Sequence, residues 1–162
     1  MFRGWPRPMQ PASLTLDVGS ARLGTIALGA PARLLAENLG PPVSYWLMRQ
    51  RGWWLYPERG LSFEVKNDRI ISMAIVVAQP ETSLLQRFVD RFQPFSGLVR
   101  LGHGTERASN LQERTFREAL GTPMETERDR EALALTFRVG GVHVDTEFLP
   151  NGRLKHLVLF PE

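Results

Sequence analysis

The chain has 162 residues, of which 43% are hydrophobic, 23% charged and 9% aromatic, and this fits one compact soluble domain or two small fused ones. It has no cysteine, which excludes disulfide scaffolds, zinc–cysteine centres, iron–sulfur clusters and a cysteine nucleophile. The net charge of +3 is carried almost entirely by arginine and lies toward the N-terminus, while Leu111 to Glu162 is slightly acidic; this distribution argues against a phosphate-tracking nucleic-acid surface.

Residues 1–22 read as an N-terminal arm and lead-in. Met1 to Pro11 holds three prolines, with no apolar core behind Arg3 and Arg7. No apolar run approaches the roughly 18 residues that span a bilayer, so the expectation is no membrane segment, no export signal and a cytoplasmic location. Residues 23–78 form a first unit. Gly24 to Gly29 is an extended lead-in, Arg33 to Leu39 has a helical pattern, and Gly40-Pro41-Pro42 closes it with a left-handed cap followed by helix-breaking proline. Strands follow at Val43 to Gln50, Trp53 to Tyr56, Leu61 to Lys66 and Ile70 to Val77, separated by Arg51-Gly52, Pro57 to Gly60 and Asn67-Asp68, the last suited to a tight hairpin with positive φ. Residues 79–96 read as a linker in which Pro80 to Phe92 places Leu84, Leu85, Phe88, Val89 and Phe92 on one helical face.

Residues 97–162 repeat the first unit. Gly97 to Gly102 echoes Gly24 to Gly29, and Arg114 to Pro123 echoes Arg33 to Pro42 through a shared Leu-Gly-x-Pro ending. Leu135 to Phe137 with Gly141 to Asp145 matches Trp54 to Tyr56 with Gly60 to Glu64, and Asn151-Gly152-Arg153-Leu154 matches Asn67-Asp68-Arg69-Ile70. The offset grows from 73 to 81 to 84 residues, which places insertions around His103 to Asn110 and Phe148 to Pro150, between matched elements. The fold expected is therefore α+β: two tandem repeats of helix plus antiparallel sheet, helices on one face and an open sheet on the other.

A helix ending in Leu-Gly-x-Pro, a Trp-x-Tyr strand and successive hairpins, all occurring twice, resembles the tandem-repeat fold of the β-lactamase inhibitor proteins, and the half-unit is similar to small outer-membrane assembly lipoproteins. The positions that carry the likeness are Gly40, Pro42, Trp54 and Tyr56, with Gly121, Pro123, Leu135 and Phe137 in the second copy. The resemblance implies a non-catalytic bacterial protein-interaction module, of the inhibitor or immunity type, that binds a protein partner through its sheet face. It brings no catalytic residues and no cofactor. The signal peptide and disulfides of the exported inhibitors and the acylated cysteine of the lipoproteins have no counterpart here, so the likeness is one of fold.

Parity along the strands selects the candidate site. Leu61, Phe63 and Val65 alternate with Ser62, Glu64 and Lys66, so the first set faces the helices; in the second copy Val142, Val144 and Thr146 face in and His143, Asp145 and Glu147 face out. Among Trp46, Trp53, Trp54 and Tyr56, the repeat puts Trp54 and Tyr56 inside and Trp53 outside with Leu55. Trp53 flanked by Arg49 and Arg51, with Glu64, His143, Asp145 and His156 on the same face, has the composition of a binding hot spot, unless the arm with Trp5 covers it. His143, Asp145 and His156 also suggest an alternative, a metal- or small-molecule-dependent enzyme. A solvated polar face accounts for these three as well, and no metal site is assigned because no further ligand is in view. Leu101 to Glu106 is glycine-rich but lacks the Gly-Lys-Ser/Thr end of a phosphate loop, and neither Gly-x-Ser-x-Gly nor His-Glu-x-x-His occurs.

Overall fold

Among the described residues, thirteen short strands and two short α-helices are set out by local chemistry. The computed structural model describes residues 14–48, 50–78 and 92–162. The N-terminal arm, Arg49 and the expected linking helix, apart from Phe92, fall outside the described residues. In the first half β1 (Thr15–Asp17), β2 (Arg22–Leu23) and β3 (Ile26–Ala27) precede α1 (Arg33–Leu39), and a meander of β4 (Val43–Met48), β5 (Arg51–Tyr56), β6 (Leu61–Lys66) and β7 (Arg69–Val76) follows. In the second half β8 (Leu98–Leu101) and β9 (Gly104–Arg107) precede α2 (Glu113–Leu120), followed by β10 (Glu125–Arg128), β11 (Leu133–Val139), β12 (Val142–Phe148) and β13 (Leu154–Pro161).

The turn chemistry explains where the elements stop. Gly40 and Gly121 end the two helices at φ of 88° and 82°, each donating its N–H to the carbonyl four residues back, and proline follows within two residues. Asn67 and Asp68 both take positive φ, as do Gly140 and Gly141, so the β6–β7 and β11–β12 connections are tight hairpins. Each helix start is tied to the last hairpin of its half: Ala32 N–H donates to Asp68 O at 2.8 Å, and Glu113 N–H to Gly152 O at 2.9 Å.

The meanders join through antiparallel β7 and β13 into one eight-stranded sheet of order β10-β11-β12-β13-β7-β6-β5-β4. A second, five-stranded sheet of order β3-β2-β1-β8-β9 is closed by parallel pairing of β1 with β8, Leu16 opposite Val99. One contiguous apolar core lies between the inner face of the large sheet, both helices and the small sheet; it includes Phe63, Phe116, Phe137, Phe148, Leu35 and Leu16, all essentially inaccessible. Phe116 of α2 packs edge-on to Phe148 with ring centroids 5.4 Å apart, and against Phe137 at 6.4 Å.

This corrects the expected α+β architecture of two tandem helix-plus-antiparallel-sheet repeats with helices on one face and an open sheet on the other. Strand dominates, the α-helices among the described residues are seven and eight residues long, and the lead-in segments together with the segment taken for an insertion pair into a sheet of their own. The other face of the large sheet is not uniformly open either. Over β5 to β7, Leu55 is fully buried and packs with Val76, Phe92 and the half-buried Trp53. Chain returning toward the small sheet crosses this end, with Gln93 N–H donating to Pro57 O and Phe95 N–H to Val76 O.

Candidate functional site

The registers place the outward-facing side chains in rows across the large sheet. One row runs Leu55, Ser62, Ala74, Val158, Asp145, Thr136, Glu125; a second runs Val76, His156, Glu147, Ala134, Glu127. A third begins Trp53, Glu64, Ser72 on β5 to β7, and on β12 to β13 His143 stands opposite Phe160 and Arg138.

These rows divide the residues singled out from the sequence. Arg51 and Glu64 form an ion pair beside Trp53, and Glu64 is 9% exposed. Arg49 lies outside the described residues. Trp53 on β5 and His143 on β12 are four strand spacings apart, about 19 Å. His143 stacks on Phe160, ring centroids 5.1 Å apart and planes at 15°, four residues along β12 from Glu147, the partner of His156; that is about 13 Å. The trio proposed for an enzyme is therefore split: Asp145 and His156 lie in adjoining rows, and His143 is turned to an aromatic ring. Among the described residues no three histidine, aspartate or glutamate side chains are grouped so that they could hold a metal ion.

Asp145 and His156 instead belong to a cleft over the β10–β12 half that the sequence reading did not assemble. The register between β12 and β13 shifts between Glu147 and Phe148: Glu147 faces His156 while Phe148 faces Leu154, so Lys155 is the extra residue of a β-bulge. The bulge brings two adjacent basic side chains to one carboxylate. Lys155 Nζ lies 2.7 Å from Glu147 Oε1, and His156 Nδ1 lies 3.4 Å from Glu147 Oε2. Burial holds the His156 imidazole below its ordinary value of 6.5; Glu147 opposes this shift, Lys155 adds to it, and Asp145 opposes it.

The cleft has a volume of about 260 Å³ and is lined by Glu125, Glu127, Thr136, Asp145, Glu147 and His156. A neighbouring hollow of about 310 Å³ shares Glu127, Ala134 and Glu147 and extends the trough to Asp129. There the Asp129 carboxyl is lowered by the backbone N–H groups of Glu131 and Ala132, which donate to it, with burial opposing and Lys155 adding weakly. Asp145 Oδ1 is shut off from solvent and has no hydrogen-bond partner. Glu125 and Glu127 make no ion pair among the described residues. Sequence reasoning passed over Glu125, Glu127 and Lys155; the only signal was the Glu-x-Glu alternation, which the mixed charges of Gln112 to Glu131 disguise as a solvated face.

No protein-family model matches the chain, and no curated protein matches it. Among solved structures, a cysteine-rich secretory protein from Staphylococcus aureus superposes with a TM-score of 0.51 at 9% identity, over 93% of this chain and 52% of its own, so the chain spans about half the length of that protein. A DUF4309 family protein from Bacillus subtilis superposes with a TM-score of 0.48 at 6% identity, over 82% of this chain and 79% of its own. At such identities the first likeness speaks to the fold alone. No helix among the described residues is long and apolar enough to cross a membrane.

Proposed function

We propose that the protein is a non-catalytic binding module, of the inhibitor or immunity type, that engages a protein partner through the outer face of its eight-stranded sheet; the compartment we propose is the cytoplasm. The observation that supports this reading is the unequal filling of that face. Over β5 to β7 it is closed by Leu55, Val76 and Phe92, whereas over β10 to β13 it carries a polar cleft whose Glu125 and Glu127 make no ion pair among the described residues. The whole face, its covered part included, is about 34 Å wide across its eight strands and about 20 Å along a six-residue strand. Trp53 and Arg51 stand at one side of this area and the cleft at the other, an aromatic anchor and a charged one.

The test is to recover a partner from a lysate with the tagged chain, produce that partner recombinantly, and titrate it calorimetrically. Trp53→Ala and the double variant Glu125→Gln/Glu127→Gln should each weaken binding about tenfold or more, equivalent to about 1.4 kcal/mol. Arg100→Ala on the five-stranded sheet should leave it unchanged. A partner that responds only to substitutions on the five-stranded sheet would exclude this face.

A further inference from the structure

We infer that the edge strand β4 is a self-association site, at which two copies of this chain pair antiparallel through their backbones and join their eight-stranded sheets into one. The inference is independent of the partner face proposed above. An edge strand offers a row of N–H and C=O groups to any other strand, and proteins blunt it with charge, shortness or irregularity. Among the described residues the two sheets end at β3, β9, β10 and β4. β3 is two residues long, β9 carries Glu106 and Arg107 in its four residues, and β10 reads Glu-Thr-Glu-Arg. β4 is six residues long and reads Val-Ser-Tyr-Trp-Leu-Met, with neither charge nor proline. It keeps an unbroken register on β5, from Val43 opposite Leu55 to Trp46 opposite Gly52, before a bulge at Leu47. Val43, which opens the strand, is 44% exposed.

Charge selects a second copy as the occupant. Two antiparallel strands related by a two-fold axis must set one residue opposite its own copy, with its neighbours paired across it. Centred on Ser44, β4 sets Val43 opposite Tyr45; centred on Tyr45, it sets Ser44 opposite Trp46 and Val43 opposite Leu47. Like charges meet in neither arrangement. β10 fails the same test at every centre: Thr126 sets Glu125 against Glu127, and any other residue of the strand sets a charge against itself. Yet the two strands hold equivalent places, each the first of its meander after a helix closed by Gly40 or Gly121. The pairing also closes on itself. Pro42, which has no N–H to give, bounds the ladder on one side and the bulge bounds it on the other. Self-pairing uses up the one unguarded edge of each copy, and β10 at the far side of the sheet refuses a further one, so assembly ends at two.

Sedimentation equilibrium of the full chain should show monomer and dimer in exchange, with the dimer weakened about tenfold or more by Val43→Glu and unchanged by Thr126→Ala. Both substitutions fall at exposed side chains, which keeps this measurement free of folding effects. The chain has no cysteine, so single substitutions locate the axis. Val43→Cys, Ser44→Cys, Tyr45→Cys, Trp46→Cys and, as control, Thr126→Cys are each oxidised with diamide. At the axis the two Cα atoms lie about 5 Å apart, within disulfide reach, and one residue away about 8 Å apart, beyond it. Linked dimer should therefore peak at Ser44→Cys or Tyr45→Cys and fall on both sides. A chain monomeric at about 1 mM, a dimer indifferent to Val43→Glu, or linkage strongest at Thr126→Cys would overturn the inference. A monomer whose β4 amides resist hydrogen exchange as strongly as those of β6 would overturn it too, by putting a segment of the same chain on this edge.

Discussion

Gly60 and Gly141 open their strands at matching places in the two meanders, with φ of 65° and 81°, yet their surroundings differ in a way that sets a measurable contrast. A Cβ at Gly60 would lie 2.4 Å from Gln93 O, 2.5 Å from Phe95 N and 2.9 Å from Val76 O, whereas a Cβ at Gly141 would have nothing within 4 Å. The left-handed conformation alone costs an L-residue about 1 to 2 kcal/mol, and Gly141→Ala should cost no more than that. At Gly60 the three clashing atoms are backbone, so the crossing segment must move away. Two hydrogen bonds at this crossing, from Val76 N–H to Gly60 O and from Phe95 N–H to Val76 O, both 2.8 Å long, are then at stake. Each contributes about 0.5 to 1.5 kcal/mol, so Gly60→Ala should cost about 2 to 5 kcal/mol. For a chain of this length each kcal/mol lowers Tm by roughly 2 to 4 °C. Urea unfolding followed by circular dichroism measures both variants, with m compared to confirm that the same surface is exposed. Equal losses in the two variants would refute the argument that the crossing at residues 93–95 presses on the β5–β6 turn.

Trp54, 6% exposed in the main core, and Trp53, half-buried on the opposite face, should separate in the same assay: about 3 to 5 kcal/mol for Trp54→Ala and about 1 to 2 for Trp53→Ala, with the reverse order contradicting the strand parity. Tyr56→Phe removes the donor that Gly40 O accepts at 3.0 Å, leaving the cap of α1 unsatisfied, and should cost about 1 to 3 kcal/mol. Burial raises the Tyr56 phenol well above its ordinary range, so ultraviolet titration should show it resisting ionisation until the fold opens. The His156 imidazole is held below 6.5 in the fold, so the unfolded chain binds its proton first as the pH falls. Stability should therefore be level above about pH 6.5 and decline below it, down to the folded-state value, and His156→Gln should flatten that part of the profile. An unchanged slope in the variant would show that burial does not hold the imidazole below its ordinary value.

What could be read from the sequence was what depends on neighbours along the chain. Gly40 and Gly121 as helix caps, Asn67-Asp68 and Gly140-Gly141 as hairpin turns, and the inward set Leu61, Phe63, Val65, Val144 and Thr146 all follow from local backbone preference or a period of two. The five-stranded sheet was not legible. β2 and β3 have two residues each, too few to show a period, and β1 finds its partner β8 some 80 residues on, in a parallel pairing no local pattern announces. β10 reads Glu-Thr-Glu-Arg, an edge strand whose charges guard against pairing with other chains and so conceal it from any search for apolar alternation. The candidate site failed for a related reason. Parity correctly put Trp53, Glu64, His143, Asp145 and His156 on one face, but a face eight strands wide separates Trp53 from His143, and only the register with its bulge brings Lys155 and His156 to Glu147.

The separation of Trp53 from the cleft bears on how the proposed interface would work. At physiological ionic strength the Debye length is about 8 Å, so over about 19 Å the field of the cleft carboxylates scarcely reaches Trp53. Ser62 and Ala74 between them are small and Ser62 is already buried, so no chain of interlocked side chains links the two points. The two contacts are thus physically independent: the charged trough governs orientation and the rate of encounter, and the aromatic edge contributes apolar area that salt does not weaken. Their effects on partner binding should accordingly add to within about 0.5 kcal/mol. Raising the salt should slow association in the wild type, do so much less in Glu125→Gln/Glu127→Gln, and leave the loss caused by Trp53→Ala unchanged. A strongly non-additive double variant would mean that the partner, not this sheet, couples the two ends.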